Sequence, residues 1–175
     1  MDRFITKEKA VFTSLLLLLI VVGEIIFEEL HLPIWPAFMA MLFYFMSHMN
    51  IKEAPGILIG GFFGIFNLIL IKLWIPASAA FLGGPLNAKL VYIVFFIGLI
   101  VLLMEVLPWL FNAYAFFYLL VSGLAVAVPE PVPNPYLWMG IELIGGGILI
   151  AGVYAARFLT AKVVKVDVSK IGEAQ

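Results

Sequence analysis

The chain contains no cysteine and two histidines, and charged residues make up 12% of it. Without Cys there are no disulfides, no thiolate catalysis, no iron–sulfur cluster and no Cys-ligated zinc. His31 and His48 fall at opposite ends of one short apolar segment. On that reading they lie on opposite membrane faces and cannot share a metal ion or a haem. The few charges nearly cancel, with a formal net charge of −1, so there is no basic face for nucleic acid. The sequence also lacks a Ser/His/Asp set, a phosphate loop, a zinc-ligand spacing and a nucleotide fingerprint. Ser14, Ser47, Ser78 and Ser122 have no base near them in sequence. The expectation is a protein that is not an enzyme and needs no cofactor.

What the chain does have is apolar length. Hydrophobic residues make up 65% of it and the mean hydropathy is +1.16. A soluble domain is about 45–50% apolar and about 25% charged, and a fold of this size has too little interior to hide the excess. Both the excess and the missing charge point to an integral membrane protein.

A spanning helix needs about 20 mostly apolar residues. Six segments are predicted: Lys9 or Ala10 to Leu30, Ile34 to His48 or Met49, Pro55 to Trp74 or Ile75, Lys89 to Glu105, Trp109 to Val128, and Tyr136 to Phe158. Proline, glycine and asparagine mark the breaks. Pro33 and Pro36 form the first, and Asn50, Lys52 and Pro55 the second. The third is an outer loop from Pro76 to Asn87, Pro108 is the fourth, and the proline-rich run from Pro129 to Pro135 is the fifth. Pro55 and Pro135 suit a first helical turn, and Asn87 and Asn134 suit helix caps. The N-terminal apolar run lacks a small-residue cleavage site, so it reads as a retained helix and not as a signal peptide. The expected organisation is one membrane domain, residues 1–158, followed by a cytoplasmic tail, residues 159–175.

Six spans place both termini on one side. That side would hold Arg3, Lys7, Lys9, Lys52, Arg157, Lys162, Lys165 and Lys170, against Lys72 and Lys89 on the other. Positive charge collects on the cytoplasmic side of membrane proteins. The expected location is therefore the cell (inner) membrane, with both termini cytoplasmic.

The two halves, about residues 10–75 and 89–158, read alike. Glu29-Leu-His-Leu-Pro33 precedes an aromatic helix with Ala40-Met-Leu-Phe-Tyr44, and Glu105-Val-Leu-Pro108 precedes one with Ala115-Phe-Phe-Tyr118. A glycine-rich helix follows each. Three helices per unit is an odd number, so the second unit would be inverted relative to the first. Inverted repeats of this kind are common in transporters and channels, with the working site between repeats. The second segment is short, about 22 Å as a helix against a hydrocarbon core of about 30 Å.

Small residues replace the hydrophobic drive for helix association in lipid. Gly56, Gly60 and Gly64 share a stripe, and at 100° per residue Asn67 falls on it. Gly145, Gly146 and Gly152 share another, with Glu142 three and four residues before the glycine pair. Glu24 shares a stripe with Thr13, Leu17, Glu28 and His31. Polar residues within spans are costly and mark functional sites by default; their competing role is glue between helices or contact with interfacial water. Trp35, Trp74, Trp109, Tyr136 and Trp138 read as interface anchors. Phe38, Phe43, Tyr114 and Phe117 lie deeper, where they pack the bundle or line a narrow constriction. Together Glu142, Asn67, Glu24 and these four aromatics make up the candidate solute pathway.

The stretch Leu32-Pro-Ile-Trp-Pro-Ala-Phe38, then Phe43-Tyr44-Phe45, Gly60-Gly61 and Leu107-Pro108, resembles a family of small prokaryotic inner-membrane proteins known as a domain of unknown function. The resemblance covers roughly Leu32 to Phe158 and brings no activity with it. More distantly, Leu-Pro turns before short aromatic helices are similar to the halves of urea-type channels, an analogy of architecture. The expectation is an all-α, homo-oligomeric channel or transporter for a small solute, with the lipid bilayer as its other partner. The alternative is a non-catalytic membrane subunit that scaffolds a larger complex.

Overall fold

The computed structural model describes residues 6–128 and 133–165. Arg3, Lys170, the prolines at 129 and 131, and residues 166–175 of the expected tail lie outside them. Every regular element among the described residues is a helix, with no strand among them. In order they form α1 (Lys7–Glu29), α2 (Trp35–Met46), a single 3-10 turn (Ile51–Glu53), α3 (Ala54–Leu82), α4 (Pro85–Leu103), α5 (Ala113–Ala125), α6 (Pro135–Gly140), a π turn (Ile141–Gly146) and α7 (Gly147–Val164). From α6 to α7 the helix is continuous over Pro135–Val164. Four helices are long and apolar enough to cross a membrane: Lys7–Glu29, Ile51–Leu82, Pro85–Leu103 and Pro135–Val164.

The starts follow the capping rules. Thr6 accepts a hydrogen bond from Lys9 N, Asn112 from Ala115 N, and Asn134 from Leu137 N. Pro135 opens its helix in the first turn, where its missing N–H leaves nothing unpaired.

Four boundaries differ from expectation. Pro76 does not end α3, which runs through it to Leu82. Proline is tolerated inside apolar helices; the one bond it withholds here is that to the Lys72 carbonyl, one turn back. The expected outer loop is consequently a tight turn at Gly83 and Gly84, whose φ of 75° and 132° suits glycine. Asn87 does not cap α4, since Gly84 holds that position; its side chain donates to Leu82 O at 2.8 Å and closes the turn from the other side. The fifth helix begins at Ala113 and not at Trp109, because the chain through Pro108 is a series of turns until Asn112 caps the new helix. The helix α7 outruns the expected end of its segment at Phe158 and reaches Val164.

The chain forms two compact units, residues 6–54 with 144–165, and residues 55–143. Neither is a half of the sequence. The first holds α1, α2 and α7. Gly145 lies against Phe27, Leu149 against Gly23, and Gly152 against Leu19, so α7 runs antiparallel to α1. Gly145 also meets Ala37, and Arg157 reaches Met49, so α7 runs parallel to α2. Ala37, Ala40, Met41 and Tyr44 form the buried face of α2.

The second unit holds α3, α4 and α5 in the same senses. Phe63 meets Phe96 at 5.9 Å between ring centroids, and Asn67 meets Tyr92, so α3 is antiparallel to α4. Gly60 meets Asn112, and Gly64 meets Ala115 and Tyr118, so α3 is parallel to α5. The buried face of α5 is Ala115, Tyr118, Leu119 and Ser122. Outside these faces, large side chains such as Leu18, Ile25, Val94, Phe95 and Leu102 are exposed. A surface of that kind suits lipid contact and not water.

Glycine decides how close α3 comes to α5. A Cβ on Gly64 would run into the Ala115 carbonyl oxygen, which is backbone and cannot swing away, whereas one on Gly98 of α4 would meet nothing within 4 Å. Gly64→Ala is therefore expected to destabilise by about 1–3 kcal/mol through overpacking. Gly98→Ala should be neutral or stabilising by up to about 1 kcal/mol from helix propensity. Thermal unfolding in mild detergent measures both; equal midpoints for the two variants would contradict the close contact.

Candidate functional site

Most polar side chains in the helices satisfy themselves locally. Ser14, Ser47, Ser78, Ser122 and Thr160 each donate to a carbonyl three or four residues back in their own helix. That habit hides a hydroxyl from an apolar surround without a second helix.

Several side chains among the described residues reach between elements. The indole N–H of Trp74 donates to Ala88 O at 2.9 Å. Asn67, buried, donates through Nδ2 to Phe63 O and accepts at Oδ1 from the Tyr92 hydroxyl, both at 2.8 Å. Asn112 accepts from Ala115 N and donates to Pro108 O and, at 3.0 Å, to Gly56 O. One amide thus caps α5 and ties it to α3. In the other unit, Arg157 Nη1 donates at 2.9 Å to Met49 O. His48 and Met49 both have φ near +54°, so the chain turns sharply just past α2. A cation there meets carbonyls that have no partner in the helix.

Glu142 differs from these, as does the buried Tyr44 hydroxyl, which also has no hydrogen-bond partner among the described residues. The Glu142 side chain is fully buried, and neither carboxyl oxygen has a hydrogen-bond partner among the described residues. It belongs to the π turn, the rarest helical form and one frequent at functional sites. It faces α3 at Gly61, where a Cβ would stand 2.5 Å from Glu142 Oε1 and 2.6 Å from the Tyr118 ring. The carboxyl therefore fits only because residue 61 has no side chain.

The expected site residues are distributed as follows. Glu142 and Asn67 are both buried in the 55–143 unit, but Asn67 is bonded to Tyr92 and is not the hydrogen-bond partner of Glu142. Asn67 also leaves the stripe of Gly60 and Gly64. Those glycines face α5, whereas Asn67 faces α4, since three residues turn a helix 60° short of a full circle. Nor does Glu142 share the partner of Gly145. Gly145 packs on Phe27 and Ala37, and the wider π turn breaks the regular spacing that placed the two on one face. Gly146 is buried, Gly152 receives Leu19, and Gly56 gives its carbonyl to Asn112. Glu24 lies on the exposed face of α1 with Thr13, Leu17 and Glu28. Phe38 and Phe43 belong to one unit and Tyr114 and Phe117 to the other; Phe43 is buried, Phe38 and Tyr114 half-buried and Phe117 exposed.

Gly61, Tyr118, Tyr92, Asn112 and Arg157 are missing from the sequence-based site. Asn112 was open to detection, being a capping residue just past Pro108 and before an apolar run. The Gly60–Gly61 pair signalled close approach but not to what. Tyr92 and Tyr118 carry no local signal.

No family model matches the chain, and no curated protein or solved structure shows detectable similarity to it.

The two buried polar groups of this unit differ in a measurable way. Tyr92→Phe strands the Asn67 carbonyl oxygen and is expected to cost about 1 kcal/mol, the scale of hydrogen bonds between membrane helices. Glu142→Met removes a group with no donor to lose and should leave the unfolding midpoint unchanged or raise it. A large loss of stability for Glu142→Met would show that the carboxylate is structural glue.

Proposed function

We propose that this chain is a membrane transporter or channel for a small solute, a homo-oligomer built of two inverted three-helix repeats, with Glu142 at the working site. The carrying observation is the Glu142 carboxyl, fully buried and without a hydrogen-bond partner among the described residues. An unpaired acid in an apolar span is expensive, and a purely structural role gives it nothing to hold.

The repeat is supported by three correspondences. The helix lengths run 23, 12 and 32 residues in the first half and 19, 13 and 30 in the second, with the 3-10 turn counted with α3 and the π turn with α6 and α7. Four buried positions of α2 and α5 correspond without a gap, Ala37 with Ala115, Ala40 with Tyr118, Met41 with Leu119 and Tyr44 with Ser122, whereas Pro36 and Phe43 are buried in α2 alone. Residues 61 and 142 stand seven positions after the starts of their helices, at Ala54 and Pro135 (61 − 54 and 142 − 135), and they touch each other. Contact between equivalent positions is what a two-fold axis produces. The register differs from the one-residue-gapped alignment read from the sequence.

In this reading α2 and α5, about 18 and 20 Å long, stop short within a hydrocarbon core of about 30 Å. Short helices in matching positions are the best pointer to a transport site. The distribution of Lys and Arg favours a six-span chain in the cell membrane with cytoplasmic termini.

Two experiments test this. Liposomes containing the purified protein should pass at least one of urea, glycerol, ammonia, acetate or a monovalent cation faster than protein-free liposomes in stopped-flow measurements. Glu142→Gln should change that rate, and no flux above background for any solute would refute the reading. For topology, single cysteines at Phe81, which is 88% exposed, and at Lys162 should react with an impermeant maleimide from opposite sides. Reaction from one side would remove the six-span arrangement.

A further inference from the structure

Resting on the transport reading, we infer that the Glu142 carboxyl is a proton-binding site that exchanges its proton only when α3 and the π turn part, which makes the protein a proton-coupled carrier and not an open pore. The argument begins with what surrounds the acid. The side chain is fully buried, and neither oxygen receives a hydrogen bond from the described residues. From α3 it is faced by Gly61, which brings no ionisable group, and from α5 by Tyr118. No Lys, Arg or His contacts it in the described structure.

A charged carboxylate is left without a counter-charge here, and burying such a charge is prohibitive unless it is paired or neutralised. A metal cation is the wrong neutraliser. Hard cations require several oxygen ligands, and no group of three or more His, Cys, Asp or Glu stands together among the described residues. A proton needs one ligand. The balanced step is the union of one carboxylate with one proton to give one carboxylic acid, reversed on the other side.

The same contacts close the site. The acid lies directly on the α3 backbone at Gly61, with the Tyr118 ring beside it. Parting α3 from residues 141–143 of the π turn would open the carboxyl to water on this side. The π turn is followed directly by Gly147, which makes three consecutive glycines with Gly145 and Gly146, so the backbone there has the freedom to regularise. Proton exchange and helix movement are thereby one event, and that is the requirement for coupling.

The test is labelling of the full chain in liposomes with dicyclohexylcarbodiimide, an apolar reagent. A protonated carboxyl adds across its N=C=N group, and rearrangement leaves a stable N-acylurea. Peptide mass spectrometry should place an adduct on Glu142, lost in Glu142→Gln and unaffected by saturating NaCl or KCl. An unmodified Glu142, or protection by either salt, overturns the inference. The wild-type map reads the residue directly, so the test holds even if the variant fails to fold. Solute flux without an adduct refutes the proton site and leaves the transport reading standing. An adduct without flux to any solute upholds the proton site and refutes transport, and the coupling with it.

Discussion

An apolar helix in an apolar surround has no solvent to finish its hydrogen bonds, and the polar content of this chain is arranged around that constraint. Backbone groups are satisfied by helix formation. Hydroxyls turn back onto their own helix, as at Ser78, Ser122 and Thr160. Just past the end of α2 the Arg157 side chain comes to the Met49 carbonyl, and at the start of α5 Asn112 caps the helix and also reaches the Gly56 carbonyl in the first turn of α3. The Glu142 carboxyl has no such hydrogen bond among the described residues.

Close packing is the second consequence. With no hydrophobic gain from bringing helices together in lipid, the gain comes from surface contact, and contact is greatest where side chains are smallest. Gly60, Gly61 and Gly64 put α3 directly on α5, and Gly145 and Gly152 do the same for α7 against α1 and α2. The two compact units are made by the same device, a third helix that presents glycine to a short helix running parallel to it.

The class of the protein, the number of apolar segments and the positions of Asn134 and Pro135 were legible from the sequence, because composition and capping are local. The burial of Glu142 and Asn67 was legible as well, since polar residues in apolar runs turn inward. Their partners were not. Tyr92 and Tyr118 come from elements far away in sequence, and helical spacing identifies a face without saying what it meets. Pro76 was misread for a related reason. Proline breaks a helix in water, where competing conformations are solvated, but a long apolar helix has no such alternative. Regular spacing also failed at Glu142 and Gly145, because a π turn changes the angle per residue and carries no sequence signature of its own.

The exchange of third helices between the halves sets the order of biogenesis. The unit of α3, α4 and α5 can be built as these helices leave the ribosome, each meeting a neighbour in sequence. The unit of α1 and α2 cannot, because α7, the last described helix, supplies its third wall. The surfaces of α1 and α2 that receive Gly145 and Gly152 thus have no partner until α7 has been made. A chain cut before α7 leaves that unit without its third wall.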